Sequence, residues 1–542
     1  MGLFGSSSTR KNPLRSYATD AGKRITVFPN TRIRARKHIV IGVWIAAQVG
    51  YFIQSYYVLS TTPVLATFRL VLGPGLMIAR AAANIINLNC ALILLTVCKN
   101  ILSLLRATFL GRLIPFDENI DMHILIAYGI IFWSVVHSLA HFYNFYAVEL
   151  FLTADVVTAE YLNLLSGPGL TGQIISVVLF LMGTSAMEAT RRKQFEIFWF
   201  LHHLFIVFFG GILMHGAFCL IKGDTGDICR GGPLFWKFWI GGAVLYIAER
   251  IGREIRARSR TYISKAVQHP SRVVEVQIMK PSCKPKAGQY ISICCPEISP
   301  YQWHPFTLTS SPDEKFISVH INAVGDWTKE FATRLGCRFD EKGGKNVELE
   351  SQTTSLPYLL VDGPYGTISE DVFDYEVGVL VGGGIGVTPF ASILKTIWYR
   401  SKQENNLNRL KKVYFIWVCR DKEAFEWFQD LLLTIEEDIA EGFLEIRTYF
   451  TGKIPANDAK RMMLLDREAS NDLVTGLRSR TFFGRPNFDL IFKEFGLVHP
   501  KTDVGVFFCG PKPLGDGLHK ACNTQTNASE TGTKFYFGTE HF

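Results

Sequence analysis

Apolar residues in the first half of the chain fall into six long blocks, at about 39–60, 70–98, 121–146, 170–188, 197–220 and 235–252. Each is long enough for a helix that crosses the roughly 30 Å of hydrocarbon in a bilayer. The pattern changes after Arg260. Short runs at 273–278, 290–294, 307–309 and 317–321, broken by proline and glycine, predict the strands of a small antiparallel barrel. Val377-Gly378-Val379-Leu380-Val381 then reads as a buried strand, a glycine-rich loop follows it, and a helical pattern covers 390–399. Further buried strands at 413–418 and 504–508 make the last part α/β and Rossmann-like. The expected division is multi-domain: a basic cytosolic arm (1–38), a six-helix transmembrane bundle (39–252), an antiparallel β-barrel (253–370) and an α/β domain (371–542).

Composition and charge sharpen this picture. Apolar residues are 48% and aromatics 13% of the 542 residues, with the surplus in the first 250. A formal charge of +9 would suit nucleic acid, but the cations border the apolar blocks, so membrane lipid is the expected partner and nucleic acid is not. The first 38 residues hold nine Lys or Arg, among them Lys23, Arg24, Arg32, Arg34, Arg36 and Lys37, against Asp20 alone. That stretch is too long and too basic for a signal peptide, and no cleavage site follows. Its opening, Met1-Gly2-Leu3-Phe4-Gly5-Ser6, fits an N-myristoylation pattern; the bland reading is a flexible arm. Cations recur at Lys99, Arg106 and Arg112, at Arg191, Arg192 and Lys193, and at Arg250, Arg253, Arg256, Arg258 and Arg260. Between 113 and 190 there are none, although Glu149, Asp155 and Glu160 occur there. An integral membrane protein with both termini cytosolic, in the plasma membrane or an endomembrane, satisfies these asymmetries.

Six of the thirteen histidines lie in two blocks: His123, His137 and His141 in the third, and His202, His203 and His215 in the fifth. A single membrane histidine often only hydrogen-bonds between helices, but clusters in two helices point to function. Imidazole is a common axial ligand of haem iron. Both helices run outward, which pairs His123 with His202 near the cytosol and His137 with His215 near the outer face. The two levels, about 20 Å apart at a rise of roughly 1.5 Å per residue, would hold two haems b. At roughly 100° per residue, His123 and His137 fall about 40° apart but His202 and His215 about 140°. The fifth helix is therefore expected to be deformed, at Gly210-Gly211. His141, one turn from His137, competes as a ligand, or the two hold another metal.

Other residues carry candidate chemistry. Arg80, in the outer half of the second block, would bind haem propionates or hold a reduced oxygen species, unless it snorkels to the interface. Eleven cysteines show no CxxC pair; Cys219 and Cys229 fall outside, as a disulfide or as free thiols. Gly382, Gly383, Gly384 and Gly386, followed by Thr388 and Pro389, stand between strand and helix, where backbone N–H groups approach a pyrophosphate. Arg420 at the next strand end suits a 2′-phosphate and so NADPH over NADH, with Asp421 as a counter-signal. Cys509, Gly510 and Pro511 turn at another strand end, where the nicotinamide would lie.

Taken together, His304-Pro305-Phe306-Thr307-Leu308-Thr309-Ser310 with Gly325-Asp326-Trp327-Thr328, Asp362-Gly363-Pro364-Tyr365-Gly366, the loop 382–389, Cys509-Gly510-Pro511 and the aromatic end 535–542 resemble the NADPH oxidase family. The likeness is to catalytic subunits of the phagocyte type and runs from about residue 40 to the end. It implies a ferric-reductase-like membrane bundle followed by a cytosolic ferredoxin-NADP-reductase-like module, producing superoxide. FAD would be held by residues 304–310, Trp327 and Thr328, and NADPH by the glycine loop, with Arg485 beside Arg420 at the 2′-phosphate. Phe542 would cover the flavin until nicotinamide displaces it. The four haem ligands match His123, His137, His202 and His215, and Arg80 and His141 match positions that shape the oxygen site.

Two departures stand out. Asn322 replaces an arginine that often contacts FAD, and no calcium loop or peroxidase-like extension is present. The compact outer loop and the insert at 342–352 resemble short fungal members. That branch implies a small membrane partner, a cytosolic activator, for which 454–480 is a contact surface or an ordinary loop, and a Rac-type GTPase. The rival readings are a ferric or cupric chelate metalloreductase with the same electron path, and a membrane channel or scaffold.

Overall fold

A computed structural model describes residues 30–542 apart from 107, 153–157, 219–234, 270–271, 340–346, 349–355, 404–408, 422–424, 440–441, 453–470, 473, 528, 530–531 and 541–542. The myristoylation pattern, Asp155, Cys219, Cys229, nearly all of the 342–352 insert, most of 454–480 and Phe542 therefore lie outside the described residues. The chain divides into two compact units, one of Ala35–Ala257 and one built on Arg258–Phe542.

The membrane unit contains helices at Asn30–Thr61, Gly75–Ile93, Asn119–Leu152, Gly167–Ser185, Phe195–His202 with Phe205–Ala217, and Phe235–Ala257. Five segments, Arg36–Thr61, Gly75–Val97, Asn119–Phe151, Gly167–Ser185 and Phe195–Ala217, are long and apolar enough to cross a membrane. The sixth helix has the length but carries Lys237, Glu249, Arg250 and Arg253. Glu249 is buried and accepts hydrogen bonds from the backbone N–H groups of Asn100 (2.9 Å) and Ile101 (3.2 Å), so it caps the helix Lys99–Arg106. The second helix is the central one. Its Ala79, Ala81 and Ala82 are fully buried, and small residues of this kind let neighbouring backbones close in where no hydrophobic effect drives helices together. Large apolar side chains such as Ile53, Leu139, Phe180 and Ile206 face outward, the reverse of a water-soluble bundle.

Two expectations need correction here. The second apolar block does not form one helix from residue 70: Ala66–Leu72 ends at Gly73, which sits at φ +54°, and a new helix starts at Gly75. Nor is the fifth helix deformed at Gly210-Gly211, which lie inside the continuous Phe205–Ala217. A side chain on Gly211 would meet Ile175 Cγ1 at 2.8 Å, so this glycine serves packing. The break is at His203 and Leu204. There the N–H groups of His203, Leu204 and Ile206 bond three residues back, to Phe200, Leu201 and His203, and such winding turns about 120° per residue instead of about 100°. His203 Nδ1 lies 2.7 Å from the Trp199 carbonyl oxygen that the tightened turn leaves over.

The second unit opens with seven strands: β1 (Tyr262–Gln268), β2 (Val273–Met279), β3 (Tyr290–Cys294), β4 (His304–Thr307), β5 (Ile317–Asn322), β6 (Val347–Glu348) and β7 (Leu360–Tyr365). They form two antiparallel sheets, β5-β2-β1-β6 and β4-β3-β7, around one apolar core. The expected strand at 307–309 begins earlier, at His304, and Leu308 bridges to Val319 of β5. Six parallel strands follow: β8 (Val377–Gly383), β9 (Lys412–Cys419), β10 (Leu444–Phe450), β11 (Phe482–Phe483), β12 (Asp503–Cys509) and β13 (Lys534–Glu540), in the order β11-β10-β9-β8-β12-β13. Both faces are buried: Leu380 packs into one core, Val379 and Val381 into the other. That is why β8 reads as an unbroken apolar run.

Candidate functional site

In the membrane unit the ring centroids of His123 and His202 are 6.1 Å apart, and those of His137 and His215 are also 6.1 Å apart. A metal between two imidazoles, with bonds of about 2 Å and a ring radius beyond each nitrogen, requires centroids about 6 Å apart. Both pairs therefore fit a bis-histidine haem as they stand. Three of the rings are held from behind. Nδ1 of His123 lies 2.9 Å from Thr96 Oγ1, Nδ1 of His137 2.8 Å from the Ala79 carbonyl oxygen, and Nδ1 of His215 3.0 Å from Thr171 Oγ1. That leaves Nε2 as the nitrogen available to iron, as in metal-bound imidazoles whose other nitrogen is hydrogen-bonded. His202 differs, because its buried Nδ1 has no partner among the described residues. Sequence reading did not single out Thr96, Thr171 or the Ala79 carbonyl; a hydroxyl inside an apolar block was the available signal.

His141 stands edge-on to His137 at 4.6 Å and 72°, and the Phe145 ring is 5.6 Å from it. Arg80 follows Ala79, whose carbonyl oxygen holds His137, and is half-buried. Among the described residues the Arg80 guanidinium has no hydrogen bond or ion pair. The structure thus gathers Arg80, His137, His141 and His215 at one level of the bundle.

In the barrel, His304 stacks on Trp327 at 4.1 Å and 25°, and Phe306 and Phe331 continue the stack at 6.1 and 5.1 Å. Burial pulls His304 down to about 4, so its ring is neutral at physiological pH. Trp327 is buried, and among the described residues its indole N–H has no acceptor. An orphaned donor beside partly open aromatic edges fits a flavin, which offers both a π-face and carbonyl acceptors. Pro305 is exposed and Phe306 half-buried, whereas Thr307, Leu308, Thr309 and Ser310 are buried. Thr309 Oγ1 already bonds Ser318 Oγ (2.9 Å) and His320 Nδ1 (2.8 Å), and Ser310 Oγ accepts from the Ser318 N–H (3.0 Å). Thr328 Oγ1 closes the turn at Gly325 (3.0 Å). These last side chains shape the strand and helix from inside.

Gly382 and Gly383 are the last residues of β8, and Gly384–Val387 makes one tight turn before the helix Thr388–Ser401, where Pro389 occupies the first turn. A side chain on Gly386 would meet the Cys509 carbonyl oxygen at 2.4 Å, and one on Gly383 would meet Pro511 Cδ at 2.8 Å. The loop and the turn Cys509-Gly510-Pro511 are therefore packed backbone to backbone. Gly384, at φ +58°, faces open space. This cradle leaves room for a phosphate against backbone N–H groups at a helix start, which fits a dinucleotide. Burial pushes the Cys509 thiol up to about 12, with the Glu540 carboxylate adding to it. Arg420 follows β9 and Arg485 follows β11, on either side of β10, so both stand at the same carboxyl edge. Both are exposed, and among the described residues neither has an ion pair.

Family comparisons agree with this layout. The family described as ferric reductase like transmembrane component matches residues 81–213, FAD-binding domain matches 259–369, and ferric reductase NAD binding domain matches 375–523. A superoxide-generating NADPH oxidase heavy chain of Dictyostelium discoideum is 41% identical over 523 residues, covering 93% of this chain and 96% of that one. NADPH oxidase 1 of Mus musculus is 38% identical, covering 92% of each chain. NADPH oxidase 3 of Homo sapiens is 38% identical, covering 93% of this chain and 98% of that one. A solved ferredoxin NADP+ reductase from Neisseria gonorrhoeae aligns over 52% of this chain and 99% of that one, at 16% identity and a TM-score of 0.33, which is too faint to carry an assignment.

Proposed function

We propose, from the premise that this chain belongs to the NADPH oxidase family, that it carries electrons from cytosolic NADPH across a membrane to oxygen and releases superoxide on the far side. When bound, NADPH supplies a hydride, FAD divides the electron pair, and two haems b pass electrons singly. The observation that carries the reading is the pair of facing histidine sets, each with the same 6.1 Å separation.

The residues take the following roles. His123 with His202 and His137 with His215 hold the two haems. Arg80 and His141, at the level of the His137–His215 pair, would provide a cation and a polar ring for the negative charge that oxygen gains there. His304, Phe306 and Trp327 present the flavin platform, with Pro305 at its rim and residues 307–310 and Thr328 as its frame. Gly382, Gly383, Gly384, Gly386, Thr388 and Pro389 receive the pyrophosphate, Arg420 and Arg485 the 2′-phosphate, and Cys509, Gly510 and Pro511 the nicotinamide. The neutral Cys509 thiol adds no charge beside the hydride. Phe542 covers the flavin in the absence of nicotinamide.

The domain limits 39–252, 253–370 and 371–542, both termini in the cytosol, and a plasma-membrane or endomembrane location belong to the same reading. So do a small membrane partner, a cytosolic activator meeting 454–480, and a Rac-type GTPase; the support is the family and the cation-rich cytosolic segments. Each electron moved outward does about 2.3 kcal/mol of charge work per 100 mV when the interior is negative, so a compensating ion movement accompanies turnover.

Stopped-flow absorbance on the full-length, cofactor-loaded protein tests this function. NADPH reduces flavin and then haem without oxygen, and admitting oxygen reoxidises the haem with superoxide formation. Reoxidation that needs ferric chelate would instead assign the protein to the metalloreductases.

A further inference from the structure

The second helix begins inside the bundle without a cap. Gly75, Leu76 and Met77 are buried, Pro74 at the cap position offers no side-chain bond, and the first N–H to find a carbonyl is that of Ile78, at 3.0 Å from Pro74 O. Three backbone donors at a helix start, with the positive end of the helix dipole, are left without an acceptor among the described residues.

A second and independent feature meets them. Asn144 of the third helix lies against this end: a side chain on Gly75 would sit 2.2 Å from Asn144 Oδ1. Asn144 is 2% exposed, and among the described residues neither its Oδ1 nor its Nδ2 has a hydrogen-bond partner. Native proteins rarely bury a carboxamide in this state unless something absent from the bare chain satisfies it. Asn144 follows His141 by three residues and His137 by seven, so it shares their helix face, about 10 Å beyond His137 along the axis. The positive end of the helix dipole supplies the charge at this end. Glu149, the next acid along the third helix, is occupied by the Ala159 N–H at 2.7 Å.

The carboxamide turns Oδ1 toward the helix start and leaves Nδ2 as a further donor, and donors with positive charge and no carboxylate describe a site for a small oxyanion. We propose that the start of the second helix and Asn144 Nδ2 form such a site on the outer side of the His137–His215 pair. The site rests on the electron path proposed above, and two sources fit its chemistry. One is a porphyrin carboxylate at the outer pair; the other is superoxide, formed when oxygen takes one electron from that path with no proton consumed, and leaving past Asn144.

The test uses the full-length, haem-loaded protein with Asn144→Leu, which removes the donor at similar size, and Asn144→Asp, which places a negative charge there. Two quantities are read: the midpoint potential and retention of the outer haem, and the rate at which chemically reduced protein is reoxidised by oxygen. A porphyrin carboxylate as occupant predicts a shifted potential or weakened haem retention, larger for Asn144→Asp, with oxygen reactivity per remaining haem unchanged. Superoxide as occupant predicts reoxidation slowed about tenfold in Asn144→Leu and more in Asn144→Asp, with the potential unchanged. If both variants match the native protein in both readouts, an internal water alone satisfies Asn144 and the proposal falls. If Asn144→Leu loses both haems, the smaller Asn144→Ser carries the test, and loss of both haems there too would assign the residue to packing. A native protein that forms no superoxide would sink the electron-path reading separately, leaving the haem potential as the measure of the site.

Discussion

His137 and His215 face each other at a centroid separation of 6.1 Å, the same as His123 and His202, although the spacing is fourteen residues in one helix and thirteen in the other. Equal separations at both levels cannot come from two ideal helices. The fifth helix reaches this arrangement through the tightened turn at His203 and Leu204.

If these pairs hold the haems, removing one member empties one level. His202→Leu is expected to lower the haem content of purified protein by about half, with the outer haem's spectrum retained, because a leucine offers no axial nitrogen. Pyridine haemochrome quantification and low-temperature difference spectra read this directly. A two-haem spectrum in the variant would mean that the ligands are assigned wrongly.

The orphaned indole N–H of Trp327 separates stacking from hydrogen bonding. Trp327→Phe keeps an aromatic ring against His304 but removes the donor. Loss of one such bond is expected to weaken FAD binding about tenfold, seen as flavin lost on dilution. Unchanged FAD affinity would confine Trp327 to packing.

At the carboxyl edge of the parallel sheet, Arg420→Ala and Arg485→Ala are each expected to raise the KM for NADPH about tenfold or more and to leave NADH nearly unaffected, since a charge-assisted bond to phosphate is lost. Gly386→Ala should behave differently. Its methyl group would collide with the Cys509 carbonyl, so both nucleotides are expected to bind poorly. Equal effects of the arginine substitutions on NADPH and NADH would remove the 2′-phosphate from the account.

Burial lowers His304 to about 4, below its usual value of about 6.5. The unfolded chain then binds a proton that the folded barrel refuses, so stability is complete above about pH 6.5 and declines as the pH falls toward about 4. His304→Phe, which retains a ring on Trp327, is expected to flatten the decline in denaturation midpoint between pH 6.5 and 4.5. The same slope in native protein and variant would show that other groups set it. In the same unit, the thiol of Cys509, pushed up to about 12, is expected to resist alkylation at pH 8 under conditions that modify an exposed cysteine, as mass spectrometry of the peptide would show.

Long-range order was the legible part of this protein. Apolar blocks long enough to cross a bilayer can only become helices there, because hydrocarbon offers backbone groups no other partner. The run Val377-Gly378-Val379-Leu380-Val381 announces a strand covered on both faces, and histidines clustered in two apolar blocks announce a metal-binding interior. Other features depend on neighbours distant in sequence. Gly211 looked like a hinge because glycine weakens a helix, yet it makes room for Ile175. The real break falls at His203, where nothing in composition marks it and its own side chain takes up the carbonyl left over. Thr309 and Ser310 read in the sequence as cofactor-binding residues; that their hydroxyls also bond β5 shows only in the fold. Asn144 passed unnoticed among aromatic residues, because an unsatisfied carboxamide exists only once the surrounding helices have closed around it. Local pattern therefore determined which segments span, pair and carry chemistry; packing between helices and strands far apart in the chain decided which polar atoms were left facing an unfilled partner.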